Sequence, residues 1–353
     1  DGYAVQAADL ANGVGNLQVI EEVVAGDVPK HLVRQGQVTR IMTGAPLPEG
    51  ADSVVMFERT TTIAPDRIEF DDPRFEAGQN IARRASSMRA GQCVLNAGSV
   101  LRGIEIGLLA EVGRTEVRAI PRPTVAVLAT GNELVDSHQR PTAGQIRNTN
   151  GPMLMACLDE CGVSATDLGI ARDDHEGLRE AIERGLDCDV LLISGGVSAG
   201  VLDLVPGVLA ELGVEQVFHK VRVKPGKPLW FGVQPHASGP RLVFGLPGNP
   251  VSGYVCFQLF VRSALVRLAG REDVGLARLS ATLASEQKQR GDRATYAPAR
   301  VTFCPQGAAV ESVGWKGSGD LAGLSRANAL VCFPAGDRIF AAGEQIDVLL
   351  LGR

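Results

Sequence analysis

At 353 residues the chain exceeds what one hydrophobic core usually supports, and roughly two to four domains are expected. Its composition, 45% hydrophobic, 21% charged and 5% aromatic with 42 glycines and 19 prolines, suits a turn-rich globular protein and argues against a large aromatic recognition surface. A net charge of −5 disfavours non-specific nucleic-acid binding, so any anionic ligand must be held by local basic residues.

Residues 1–88 mix short β-like runs (17–24, 38–42, 53–58 and 67–70) with turn clusters, which reads as a small β-rich domain. The chain opens on Asp1-Gly2-Tyr3-Ala4 without a methionine, in mid-motif, and we expect a native N-terminal segment ahead of it. Residues 89–120 hold one helical pattern, 102–112, ending at Gly113, and read as a connecting or incomplete small domain.

Between residues 121 and 270 strands and helices alternate. Strands are expected at 125–129, 165–170, 190–193, 217–223, 229–232 and 242–245, with helices at 152–161, 175–186, 203–212 and 251–268. Asn150 fits a helix cap, with Pro152 just inside the first turn. The succession argues for a mainly parallel, doubly wound α/β sheet. The apolar stretch 251–269 is about long enough to cross a bilayer, but Pro250 precedes it and Arg262 and Arg267 interrupt it. A buried helix on the sheet, in a chain with no membrane role, accounts for it better. Residues 271–353 return to short alternating runs (277–284, 299–303, 309–313, 329–333 and 345–351), the pattern of a small β-barrel or sandwich domain.

The seven cysteines, an odd number scattered through apolar segments, read as buried reduced thiols of a cytoplasmic protein. Cys157 and Cys161 could share a helix face, but no second pair accompanies them and core packing outweighs a zinc site.

In an open α/β sheet, ligands bind beyond the carboxyl ends of the strands. Here those ends carry Thr130-Gly131-Asn132-Glu133, Arg172-Asp173-Asp174 and Ser194-Gly195-Gly196, joined by the turns Lys224-Pro225-Gly226-Lys227-Pro228 and Gly245-Leu246-Pro247-Gly248-Asn249-Pro250. Glycine turns suit close approach of backbone to phosphate, lysines suit anions, and carboxylates suit Mg²⁺. Taken singly, each has a plainer reading: Asp174 as a cap of the helix at His175, Glu133 as a solvated carboxylate, Ser198 as a turn hydroxyl, Lys220 as an exposed strand charge. Their joint placement at strand ends favours a site. No G-x-G-x-x-G opens the first βα unit, and neither a P-loop nor a G-x-S-x-G elbow is present.

Six motifs in order, Asp1-Gly2-Tyr3-Ala4, Met42-Thr43-Gly44-Ala45-Pro46, Thr130-Gly131-Asn132-Glu133-Leu134, Ser194-Gly195-Gly196-Val197-Ser198 and the two turns above, resemble the molybdopterin molybdenumtransferases, the MoeA and gephyrin E-domain family. The resemblance implies conversion of adenylylated molybdopterin and molybdate into molybdenum cofactor, with AMP released and Mg²⁺ assisting. It also implies a homodimer, with a molybdopterin adenylyltransferase and molybdoenzyme-specific chaperones as further partners. By matching position, Asp1 and Thr43 would act from the facing subunit. Glu133, Asp173 and Asp203 would bind Mg²⁺ or the pterin-nucleotide, cradled by Gly131, Gly195, Gly196, Ser198, Pro228, Pro247 and Pro250, with Lys220 on its phosphates. Lys224, Lys227, Ser252 and Ser318 would form the molybdate pocket.

The chain departs from the family's pattern at Ser86-Ser87, Asn132 and Asn148, where carboxylates are usual, at Val201-Leu202, and at Pro298, where an arginine is usual. Arg300 is the candidate replacement, with Arg293 as its alternative. Competing readings are a weakly catalytic, molybdopterin-binding scaffold and the adenylyltransferase that makes the intermediate; the latter resembles only the central α/β part.

Overall fold

The computed structural model describes residues 1–352 except 11, 198–203, 273–274 and 306. Two compact units emerge, Asp1–Asn96 and the chain from Ala97 onward.

In the first unit, β1 (Gly2–Val5), β2 (Val14–Val23), β3 (Gln37–Ile41), β4 (Ser53–Met56), β5 (Thr60–Ala64) and β6 (Arg67–Asp71) make one sheet in the order β4-β1-β3-β2-β6-β5. Its pairings are antiparallel except β2 with β3. Alternation buries Leu17, Val38, Ile68 and Phe70 on one face, where the Tyr3 ring meets Phe57 and Phe70 edge-on at 5.2 and 5.8 Å. The sequence reading missed β1 and β5. The first is four residues long, and no residue of the second is buried, so neither shows a periodic signal.

The second unit begins with α1 (Gly103–Glu111), of which no residue is buried: Ile104 is 76% exposed and Ile106 54%. Next comes the α/β layer. Its strands β7 (Val125–Thr130), β10 (Ala165–Ala171), β11 (Val190–Ser194), β12 (Glu215–His219), β14 (Trp230–Gln234) and β15 (Arg241–Leu246) lie in the order β10-β7-β11-β15-β14-β12. Between them run β8 (Leu134–Val135), β9 (Ile146–Arg147) and β13 (Val223–Lys224). The first four strands of the sheet are parallel, and the last two pairings are antiparallel. Every residue of β7 and β11 is buried, which is why these strands read as unbroken apolar runs.

Helices cover both faces. α3 (His175–Gly185) and α4 (Val205–Glu211) pack Leu178, Ile182, Val208 and Leu209 on Leu128, Leu191 and Ile193. α2 (Asn150–Glu160) and α5 (Pro250–Leu268) pack Leu154, Leu158, Phe257 and Val261 on Val127, Val190 and Leu192. Each such fully buried side chain contributes about 1.5–3 kcal/mol. α5 carries a π-helical stretch, Phe257–Val261, and meets the length and composition of a bilayer span, but half of it is buried within this fold. Gly213, in the left-handed region at φ 76°, closes α4, as the spacing predicts.

The last part is a β-barrel. β16 (Arg278–Leu283), β18 (Ala294–Cys304), β19 (Gly307–Ser312), β20 (Ala329–Phe333) and β22 (Gln345–Leu350) pair in a closed circuit, β18-β19-β16-β22-β20-β18. β17 (Gln287–Gln289) and β21 (Arg338–Phe340) form a separate two-stranded antiparallel sheet. So few strands leave a narrow interior, and small side chains (Ala281, Ala297, Ala299, Ala329) share it with valines. β13 adds to β18 from outside, with Lys224 in register with Thr295.

The cysteines do not all fit the expectation of buried thiols. Cys157 and Cys256 are buried and Cys161, Cys188 and Cys332 half-buried, but Cys93 and Cys304 are exposed; all seven are free. Burial pushes the Cys157 and Cys256 thiols up to about 12, which makes them inert packing groups. Among the described residues no group of three or more His, Cys, Asp or Glu could hold a metal by itself.

Candidate functional site

Between β7 and β10 the chain moves to one side of β7, and between β10 and β11 it returns to the other. The crevice where the winding direction reverses therefore opens above the ends of β7 and β11. A cleft of about 960 Å³ occupies it. All five turns singled out in the sequence contribute: Thr130, Gly131 and Glu133; Asp173; Ser194, Gly195 and Gly196; Pro228; and Pro247, Gly248 and Pro250.

The glycines at the end of β11 are dictated by closeness. Gly195 and Gly196 have φ values of 94° and 63°, and a Cβ on them would sit 2.5 Å from the Thr130 carbonyl oxygen and 2.7 Å from Thr130 Oγ1. The Gly195 amide is already spent on Leu246 O at 3.1 Å, so it is not one of the free donors expected from this turn. The Glu133 carboxylate folds back over Gly131. Asp173 and Asn132 are joined reciprocally: each backbone N–H donates to the other's side chain, at 3.2 Å (Asp173 N to Asn132 Oδ1) and 3.3 Å (Asn132 N to Asp173 Oδ2). Asn132 thereby fixes the loop that presents Asp173. Neighbouring Asp174 caps α3, accepting from the Gly177 amide at 2.8 Å.

Asn150 is not the cap of α2; Thr149 occupies that position, without a side-chain cap bond. The Asn150 side chain instead turns into the site. Its Nδ2 donates to Ser194 Oγ at 2.7 Å and to Gly248 O at 2.8 Å, tying the start of α2 to the end of β11 and to the turn before α5. Asn150 Oδ1 and Thr130 Oγ1 are buried in the cleft wall with no hydrogen-bond partner among the described residues. Arg147 also lines the cleft. Asn150 and Arg147 were not assigned to the site from sequence; their signal was the polar run Arg147-Asn148-Thr149-Asn150 directly ahead of Pro152, which a local rule reads as capping.

A second group lies beside the cleft. The Lys224–Pro225 bond is cis, and Gly226 (φ 113°) presses on α5, where a Cβ would sit 2.5 Å from Cys256 Sγ and 3.7 Å from Ser252 O. Val251 N donates to Ser318 O at 3.0 Å. The fold thus gathers the turn carrying Lys224 and Lys227, buried Ser252 and half-buried Ser318. Asp320 holds the Ser318 loop by accepting from the Lys316 and Gly323 amides at 2.8 and 2.9 Å, which keeps its carboxyl below the usual range.

Lys220 has a left-handed backbone (φ 72°), held by its N–H to Leu229 O at 2.8 Å and by Val221 N to Lys227 O at 2.9 Å; it does not line the cleft. Beside it His219 Nε2 donates to the Val197 carbonyl at 3.1 Å.

Arg300 is not brought to this group. Lys224 is in register with Thr295, and Arg300 lies five residues further along β18, about 16 Å away at the rise of a strand, paired with Glu311. Arg293, the alternative, does come close: its guanidinium donates to Val223 O at 3.3 Å. Asp1 and Thr43 belong to the first unit and meet there, Thr43 N donating to Asp1 Oδ1 at 2.7 Å. Ser198 and Asp203 lie outside the described residues, as does the start expected for α4.

A cleft of glycine turns and two carboxylates at the switch point of such a sheet, followed by a β-barrel, defines a ligand-binding, doubly wound α/β protein with added β domains. Comparison with known proteins agrees over the length of the chain. Residues 126–267 match the probable molybdopterin binding domain, 1–113 the MoeA N-terminal region (domain I and II), and 280–351 the MoeA C-terminal region (domain IV). The chain is 34% identical to the molybdopterin molybdenumtransferase of Staphylococcus aureus strain Mu50, over 99% of this chain and 83% of that protein. It is 33% identical to the enzyme of the same name from Staphylococcus epidermidis strain RP62A, with the same coverage. The crystal structure of the molybdopterin biosynthesis MoeA protein of Pyrococcus horikosii matches at 33% identity and a TM-score of 0.75, covering 100% of this chain and 86% of that one. The chain belongs to the molybdopterin molybdenumtransferase (MoeA) family.

Proposed function

We propose that this protein, a transferase of molybdenum cofactor biosynthesis, inserts molybdate into adenylylated molybdopterin and releases AMP. The observation that carries the reading is the convergence of the five turns on one cleft, the lysine turn reaching it through Pro228, with Ser252 packed against that turn. A pterin-nucleotide would lie along the cleft, with Thr130, Gly195 and Gly196 against its body. Two ammonium groups on a stiff turn, with the hydroxyls of Ser252 and Ser318, suit the tetrahedral dianion molybdate as the second substrate. No side-chain nucleophile is needed. The residues act by orienting two anions side by side and offsetting their charge.

The donor set fits Mg²⁺. Glu133 and Asp173 line one cleft; among the described residues the Asp173 carboxylate accepts from only the Asn132 amide and the Glu133 carboxylate from no group. Mg²⁺ is commonly held by one or two carboxylates completed by water and substrate phosphates. When bound it would offset charge on the phosphoanhydride.

A homodimer in a cytoplasmic setting completes the proposal. The unburied apolar face of α1, with Ile104 and Ile106, supports a partner surface, and the seven free thiols support a reducing compartment. Asp1 and Thr43 would serve the partner's site from such a dimer. The flanking MoeA-type regions argue against a free-standing adenylyltransferase, and nothing in the site favours a scaffold without turnover.

The test is AMP release from adenylylated molybdopterin with molybdate and Mg²⁺, followed by chromatography. The wild-type protein should release AMP in a molybdate-dependent manner, and Lys224→Ala should abolish that release. Molybdate-independent release, or release unchanged in the variant, would overturn the assignment.

A further inference from the structure

The described residues lining the cleft include three charged side chains, Glu133, Asp173 and Arg147. An anion entering it therefore meets two carboxylates and one guanidinium. Lys220, to which the resemblance gives the phosphates, does not line the cleft.

Arg147 is placed for that task by local structure. It lies in β9, whose pairing with β8 sets Arg147 opposite Val135 at the cleft's edge. Its Nε donates to Gln139 O at 3.1 Å, which fixes the plane of the guanidinium. Among the described residues it has no carboxylate partner. The two terminal nitrogens keep four N–H donors in a fork that matches phosphate oxygens. A second observation points to a ligand at the same wall. Thr130 is 2% and Asn150 8% exposed, yet among the described residues Thr130 Oγ1 and Asn150 Oδ1 have no partner, and both residues line the cleft with Arg147.

We infer that Arg147 is the phosphate-recognising residue of this cleft, its terminal nitrogens holding the phosphate oxygens of an adenylylated ligand. The inference rests on the functional reading above and adds to it the cation that offsets Glu133 and Asp173 when no metal is bound.

Titration calorimetry with adenosine, AMP and ADP, on the full chain and on Arg147→Ala and Arg147→Lys, separates charge recognition from mere structure. The alanine variant should bind AMP and ADP about 10- to 100-fold more weakly, the size of a charge-assisted hydrogen bond, while adenosine binding is unchanged. The salt dependence of ADP binding should flatten in the alanine variant, and lysine should restore part of the affinity. Unchanged AMP and ADP affinity overturns the inference. So does an equal loss for adenosine, which would mark a structural role, or a wild-type protein that binds ADP no better than adenosine. The functional reading fails separately, if the wild-type protein converts adenylylated molybdopterin without releasing AMP.

Discussion

Replacing Asn150 with alanine removes a side chain that ties three walls of the cleft together. Its Nδ2 donates to Ser194 Oγ and Gly248 O at 2.7 and 2.8 Å, so the variant leaves two acceptors without their donor. Ser194 is 3% exposed and regains no water, which costs about 1–3 kcal/mol for an abandoned buried partner. Gly248 is exposed, so its carbonyl can be hydrated and its loss is near the net value of a bond, about 0.5–1.5 kcal/mol. The sum is about 1.5–4.5 kcal/mol. The Ser194-Gly195-Gly196 turn and the turn before α5 would also lose their common anchor, and misplacement of about 1 Å costs on the order of 100-fold in rate. Urea unfolding and the AMP-release assay measure the two effects. Asn150→Asp keeps the shape but not the donor, and should be no more stable than the alanine variant. If Asn150→Ala unfolds within about 0.5 kcal/mol of the wild type, which is the range of an ordinary surface change, and turns over normally, the clamp has no such role.

Gly226→Ala should destabilise by about 1–3 kcal/mol and weaken molybdate binding, because φ is 113° and the added methyl would meet Cys256 Sγ at 2.5 Å; wild-type stability and affinity would refute the packing of the lysine turn on α5. Burial pushes the Asp189 carboxyl up, but the Thr124 amide and hydroxyl at 2.8 and 2.9 Å and Arg241 at 2.7 Å outweigh it, so it titrates below its ordinary value. A lowered folded-state value stabilises above the unfolded one and is lost as acid protonates the carboxylate. The stability difference between wild type and Asp189→Asn should therefore shrink as pH falls below about 4; a difference constant from pH 7 to 3 would remove Asp189 as its source. For the proposed homodimer, Ile104→Lys on the unburied face of α1 should shift sedimentation velocity toward monomer; a wild-type protein that sediments as a monomer, or a variant that sediments like the wild type, would refute that surface.

The α/β layer was legible because its signals are local. A strand buried on both faces, such as β7, needs an uninterrupted apolar run, and the connection rules then fix which strand ends face the crevice. Those two rules are enough to bring Glu133, Asp173, Gly195 and Pro247 to one cleft. What escaped are decisions made by distant partners. Asn150 reads as a cap because asparagine beside a helix start usually is one, but its partners lie 44 and 98 residues away, and the buried Ser194 hydroxyl together with the Gly248 carbonyl competes better for its amide than a solvated helix end does. The arginine near the lysine turn is the sharper case. Arg293 and Arg300 are equivalent as residues, and choosing between them requires the register of β13 on β18, a pairing of two residues that carries no periodicity. Once Lys224 stands opposite Thr295, the seven-residue separation of the two arginines becomes a distance. Arg293 reaches the Val223 carbonyl, while Arg300 is carried away toward Glu311. The arginine that the fold brings beside the lysine turn is thus Arg293, from the turn that precedes the strand. The double comparison of Arg293→Ala and Arg300→Ala in molybdate titrations decides it: loss in the first alone is expected, and loss in the second alone would mean that the register of this bridge differs in solution.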